Sequence, residues 1–173
     1  VRMAGFDAIS VWPGDVTGHE RSRVRQAVAA AGLTITDVEL IGNWLPGHAA
    51  ATGAYAELMR PMTVDYVLPI AAKLGAQTVS VAELTALPFN QVEIARHFAA
   101  LCDRAAEFAM RVAIEFVPTG AIADLDRALE IVERAGRSNG GIMLDSWHFF
   151  RSGSSLDRLA RMPGEWIFSV QLN

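Results

Sequence analysis

A chain of 173 residues, 51% hydrophobic and with a mean hydropathy of +0.24, can bury a substantial core, which excludes a disordered segment and predicts one globular unit over residues 1–173. A net charge of -4 and a pI near 5.5 offer no general attraction to phosphate backbones or anionic lipid, so neither nucleic acid nor a membrane is an expected partner. No run approaches the roughly 20 apolar residues of a membrane span, and the lone Cys102 supports no internal disulfide, so a buried structural thiol in a reducing cytoplasm is the expectation.

In chain order, short apolar runs alternate with alanine-rich stretches of helical period. A strand over 6–11 leads through Trp12-Pro13-Gly14-Asp15 to a helix from about Glu20 to Ala31, closed by Gly32. A second strand, Thr34 to Leu40, opens into a long loop over 41–52 that carries Asn43, Trp44, Pro46 and His48. A helix over 64–74 ends at Gly75, a strand follows over 77–81, and a longer helix runs from about Gln91 to Met110. The strand ending in Glu115 precedes a helix over 124–135 closed by Gly136, and the strand ending in Asp145 precedes a short helix over 156–161. Pro163-Gly164 stops that helix before a last strand, Ile167 to Gln171.

Six strands in βα alternation fit a (β/α)8 TIM barrel as its second to seventh strands, the first and eighth lying outside the sequence. Such a barrel takes about 250 residues, so the chain reads as a single partial barrel domain. An open doubly wound sheet shows the same alternation, but its glycine-rich phosphate loop after the first strand is not in the sequence.

Three apolar runs end in metal-capable groups: Val112-Ala113-Ile114-Glu115, Ile142-Met143-Leu144-Asp145 and Ile167-Phe168-Ser169-Val170-Gln171. The intervals, 30 residues from Glu115 to Asp145 and 26 from Asp145 to Gln171, are those of a parallel β/α repeat. Neighbouring strands would bring these ends together at the carboxyl edge, where a divalent cation offsets the cost of burying two carboxylates. Oxygen donors favour Mg²⁺ or Mn²⁺ over zinc. The structural alternative is that Glu115 and Asp145 cap helices or bind rim cations, with Gln171 satisfying backbone groups.

His148, three residues after Asp145 in a segment read as a loop, is placed to donate to a substrate oxygen, or else to be tied to a backbone carbonyl. Arg151 is read as a substrate anchor or a rim ion pair, and Glu83 as a hydroxyl ligand or a rim ion pair. Trp12, Trp44 and Trp147 adjoin strand ends and could wall a sugar-binding pocket or fill core. His19 and His48 fall in loops, and His97 in a helix, where a structural role is expected.

Ala113-Ile114-Glu115, Gly141-Ile142-Met143-Leu144-Asp145-Ser146-Trp147-His148 and Ser169-Val170-Gln171-Leu172-Asn173 resemble the xylose-isomerase-like TIM-barrel superfamily. That superfamily includes sugar isomerases and epimerases, inosose and dehydroshikimate dehydratases, and endonuclease IV. The resemblance implies metal ligation by Glu115, Asp145 and Gln171, substrate contact by His148, and a further glutamate on an eighth strand. It also implies an enediolate reaction on a small polyhydroxylated substrate in which Glu115 moves a proton. An isomerase or epimerase of a small sugar, keto-sugar or polyol is the leading expectation. A dehydratase with His148 as general acid, or a non-catalytic sugar-binding subunit, are the alternatives. Endonuclease IV, with its several metals, fits poorly with four scattered histidines, and homo-oligomerisation stays open.

Overall fold

Each apolar run that the sequence sets between turn signals becomes a strand, and each helical-period stretch between them becomes a helix. The computed structural model describes residues 1–16, 20–85 and 87–173. The strands are β1 (Ala8–Val11), β2 (Thr34–Ile41), β3 (Thr78–Val81), β4 (Arg111–Glu115), β5 (Gly140–Asp145) and β6 (Ile167–Gln171). Every neighbouring pair is parallel and the order is sequential from β1 to β6. A doubly wound sheet would reverse its strand order at a switch point; sequential order is that of a barrel wall. The wall curls: Gln171 at the end of β6 donates from Nε2 to Glu39 Oε2 near the end of β2 at 2.8 Å, with three strands between them. The architecture is an incomplete (β/α)8 barrel, as the alternation predicts.

The helices are α1 (Glu20–Ala30), α2 (Ala54–Met59), α3 (Val64–Leu74), α4 (Gln91–Ala106), α5 (Leu125–Ala135), α6 (Ser146–Arg151) and α7 (Leu156–Arg161). Their starts follow cap chemistry: Thr63, Asn90 and Asp124 each accept a backbone N–H from the third residue on, at 3.2, 2.8 and 2.9 Å. Gly75 and Gly136 close α3 and α5 in the left-handed region, at φ 78 and 60. α4 stops at Ala106 rather than near Met110, because Ala109 adopts φ 56 and turns the chain into β4. α2 has no counterpart among the expected elements, and α6 occupies a segment read as a loop. The cap of α6 is Asp145 itself, which accepts the His148 N–H through Oδ1 at 2.8 Å.

The core lies between the sheet and its helical layer. Val79, Val112, Ile114 and Ile142 present their outer faces to Leu68, Ile94, Phe98, Leu129 and Ile131, all fully or almost fully buried. Cys102 is part of this core, and burial pushes its thiol up to about 12, the chemistry of a structural rather than reactive cysteine. Among the described residues no helix is long and apolar enough to cross a membrane.

One glycine matters for the loops above the sheet. A Cβ on Gly120, between β4 and α5, would stand 1.9 Å from the backbone oxygen of Glu83, which follows β3. Two backbones touch here, so neither can yield by a rotamer change. Gly120→Ala is expected to cost about 1–3 kcal/mol or more by forced backbone displacement. Urea unfolding measures it, and an unchanged midpoint would contradict the close approach.

Candidate metal centre

Strand alternation decides which side chains enter the barrel. Val112 and Ile114 of β4 join the helix-facing cluster, so Ala113 and Glu115 take the inner face; likewise Ile142 faces out on β5 and Met143 and Asp145 face in. The β5–β6 register pairs Asp145 with Gln171, so these two strand ends lie side by side. Glu115 and Asp145 are 9% and 2% exposed.

Glu115, Asp145 and His148 each offer one ligand atom, and these atoms all lie within 4.8 Å of one another. His148 Nε2 is 3.4 Å from Glu115 Oε1. The first turn of α6 brings the imidazole back over the strand ends, three residues beyond the aspartate that caps it. Asp145 Oδ1 takes the His148 N–H, and Oδ2 accepts from the side-chain amide of Asn173. The aspartate is therefore fixed from two sides and keeps lone pairs on both oxygens.

Burial, followed by the neighbouring carboxylates of Glu39 and Asp145, pushes Glu115 up to about 7. His148 Nδ1 is buried without a hydrogen-bond partner among the described residues. Glu115, which resists ionisation, the neighbouring Asp145 carboxylate and an imidazole with an unmet nitrogen together form a group whose charge and lone pairs a divalent cation could satisfy. Beside them lies a cavity of about 270 Å³ lined by Leu40, Tyr55, Met59, Leu84, Val117 and His148, with no Lys or Arg among its lining residues.

The other candidate residues are placed as follows. Gln171 is at the same sheet edge, but its amide nitrogen is engaged by Glu39, so the carbonyl oxygen is the atom it can offer a cation. Glu83 is 1% exposed and accepts from Thr85 N–H at 2.7 Å, from the Thr85 hydroxyl, and from Ala121 N–H at 2.6 Å. His48 Nδ1 accepts from the N–H groups of Trp44 and Leu45, and its Nε2 stands 3.4 Å from Glu83 Oε1 in an oblique contact. Burial opposes ionisation of Glu83, yet the imidazole and the Thr85 and Ala121 donors outweigh it and bring the carboxyl down to about 2. This group ties together the loops after β2, β3 and β4.

Trp12 is partly buried against the core, and Trp44 is buried, its indole N–H donating to Ala82 O at 3.0 Å. Trp147 is 52% exposed; its ring meets His148 edge-on at 5.2 Å, and the Arg151 guanidinium lies 5.6 Å from its centroid. None of Trp12, Glu83, Trp147 and Arg151 lines the cavity beside Glu115. His97 is on α4, away from the cluster, and His19 lies outside the described residues.

Two polar residues of the site were not among the candidates. Glu39 lies between Val38 and the apolar pair Leu40-Ile41, so it does not end an apolar run as Glu115 does. Its alternation with Asp37 made it look like the wet face of a half-buried strand. Asn173 gave no signal, since only the fold brings it to Asp145.

Comparison with known proteins agrees with this architecture. A 3-dehydroshikimate dehydratase of Pseudomonas aeruginosa is 26% identical over 182 residues, a match covering 99% of this chain and 27% of that protein. An inosose isomerase of Bacillus subtilis is 37% identical over 75 residues, covering 42% of this chain and 27% of its own length. The chain thus spans about a quarter of the dehydratase it matches from end to end. Among solved structures, the IolI protein with a bound zinc atom superposes with a TM-score of 0.79 at 20% identity, over 98% of this chain and 64% of that one, a likeness of fold. The profile of the xylose isomerase-like TIM barrel family matches residues 1–173, and with the sequential parallel wall and the acid-tipped strands the chain belongs to that family.

Proposed function

We propose that this chain forms the metal-binding part of an isomerase or epimerase that acts on a small polyhydroxylated ketone or cyclic polyol in the cytoplasm. The observation that carries the reading is the convergence of Glu115, Asp145 and His148 at the carboxyl edge, with a cavity of about 270 Å³ beside them. Glu115, Asp145 and the Gln171 carbonyl oxygen would hold the cation, with the His148 imidazole beside it as a hydrogen-bond and proton donor. Mn²⁺ or Mg²⁺ suits these oxygen donors. When bound, such an ion supplies Lewis-acid polarisation of adjacent carbonyl and hydroxyl oxygens.

The chain's own residues would do the rest. Glu115, at the cavity wall, takes the proton from the carbon next to the carbonyl, leaving an enediolate. His148, 3.4 Å from Glu115, donates to the developing oxygen charge. Leu40, Met59, Leu84 and Val117 give the cavity an apolar side, suited to the C–H face of a ring whose oxygens point toward the acids. Returning the proton to the neighbouring carbon, with the hydroxyl proton passing to the former carbonyl oxygen, gives an isomer; delivery of a proton to the opposite face, which takes a second acid besides Glu115, gives an epimer.

A dehydratase is the second reading, favoured by the end-to-end match to a relative of that activity. It uses the same proton abstraction and then expels a β-hydroxyl protonated by His148. Incubation of the protein and Mn²⁺ with an inosose in D₂O separates the two. Deuterium in recovered substrate or its isomer without loss of water supports the isomerase, whereas appearance of an enone absorbance supports the dehydratase. Absence of exchange in the presence of bound Mn²⁺ would count against both.

A further inference from the structure

Resting on the metal-binding reading above, we propose that Glu39 is a positioning residue that sets which end of the Gln171 side-chain amide faces the cation. The two prongs of a primary amide are nearly equal in shape but opposite in chemistry: the oxygen can ligate a cation and the NH₂ cannot. Glu39 Oε2 accepts from Gln171 Nε2 at 2.8 Å and so holds the NH₂ prong toward β2. That leaves the carbonyl oxygen as the prong available to an ion held by Asp145, which the β5–β6 register places next to Gln171.

Glu39 is itself restrained. Its other oxygen, Oε1, accepts from the Ser10 hydroxyl on β1. The β2–β3 register slips between Val38 and Ile41, so β2 carries an extra residue where Glu39 sits, a device that re-aims side chains at barrel rims. Ser10, Glu39 and Gln171 therefore form a hydrogen-bonded line from the first strand to the last. Glu39 stands outside the group of three whose ligand atoms all lie within 4.8 Å of one another; it touches the site through Gln171 and also acts on Glu115 as a neighbouring charge, an effect that Glu39→Asp keeps. Partners that orient metal ligands typically govern affinity by about 10–100-fold.

Titration calorimetry with Mn²⁺ on the wild type, Glu39→Asp, Glu39→Gln and the double variant Glu39→Gln/Gln171→Glu tests this. Glu39→Asp keeps the charge but withdraws the acceptor by about 1.5 Å, one backbone-length bond. It is expected to weaken Mn²⁺ binding about 10–100-fold, as is Glu39→Gln. The double variant restores a hydrogen bond of reversed polarity, the introduced amide at 39 donating to the introduced carboxylate at 171, with total charge unchanged. Its affinity is expected to return to within a few-fold of wild type.

Wild-type affinity in Glu39→Asp, with loss only in Glu39→Gln, would show a charge effect and overturn the proposal. So would failure of the double variant to recover while its metal-free melting temperature matches wild type. If Glu39→Asp does not fold, the comparison of Glu39→Gln with the double variant decides. Wild-type protein that binds no Mn²⁺, or binds it equally after Glu115→Gln, overturns the metal reading itself and this inference with it. Intact binding that depends on Glu115 but is indifferent to Glu39 overturns this inference alone.

Discussion

Replacing Glu115 with Gln is expected to weaken Mn²⁺ binding by two to three powers of ten. The substitution keeps the shape of the side chain and removes one full charge from a buried donor set. Deleting one member of a buried charge pair costs about 3–5 kcal/mol, and each 1.4 kcal/mol is tenfold in affinity. The same variant is expected to be more stable than wild type without metal at neutral pH, since Glu115 is raised to about 7 by burial and by the carboxylates of Glu39 and Asp145. Weaker binding with higher metal-free stability is a pairing that misfolding cannot produce. Calorimetry with Mn²⁺ and urea unfolding of the metal-free protein read the two effects. Equal Mn²⁺ affinity in both proteins would remove Glu115 from the centre.

The second large effect is a fall in metal-free stability with rising pH that bound metal is expected largely to cancel. Glu115 ionises near 4.5 in the unfolded chain and near 7 in the fold. Between those values the folded state holds more protons, so its stability falls as pH rises, by about 3 kcal/mol once both states are ionised. Glu83 acts in the opposite sense. Its folded carboxyl is at about 2, so its contribution is present above about pH 4.5 and is lost as pH falls through 2. From these two groups, metal-free protein is most stable near pH 4.5. A divalent cation needs Glu115 ionised, and at a hundredfold excess over its Kd it adds about 2.7 kcal/mol, so the loss above pH 5 is largely recovered. Urea midpoints from pH 4 to 8, with Mn²⁺ and with EDTA, measure this. A rising metal-free profile from pH 5 to 7 would contradict the assignment, and Glu115→Gln is expected to flatten it.

Strands β2 to β6 were legible because each apolar run is bounded by glycine, proline or an acid, and the caps at Asn90, Asp124, Gly75 and Gly136 place their helix ends to within a residue or two. α6 lies in a segment that reads as a loop, because Ser146-Trp147-His148-Phe149-Phe150-Arg151 is aromatic and short, yet it is helical. What starts it is the Asp145 side chain, itself a candidate metal ligand. The Asp145-x-x-His148 spacing thus has two consequences: the cap fixes the helix, and the helix returns the imidazole to the carboxylates.

Trp12, Trp147 and Arg151 show the opposite problem. Proximity to a strand end in sequence says that a residue is near the rim, not whether it faces the cavity, and that choice depends on the loop path and on side-chain stacking. Glu83 is at the rim, yet its carboxylate is turned to Thr85 and Ala121, because backbone N–H groups that would otherwise be buried unpaired compete for it.

The amino-acid order alone determined the β/α alternation, the parallel wall it demands, and the carboxylates that end two of its strands, since these depend on period and spacing. Tertiary structure alone decided the company those carboxylates keep: Glu39 reaching Gln171 across 132 residues of chain, Asn173 turning to Asp145, and His148 closing on Glu115. The reason is curvature. A strand's inner face follows from alternation, but which inner faces meet depends on how far the sheet bends, and that is set by the sum of all the packing between the wall and its helices.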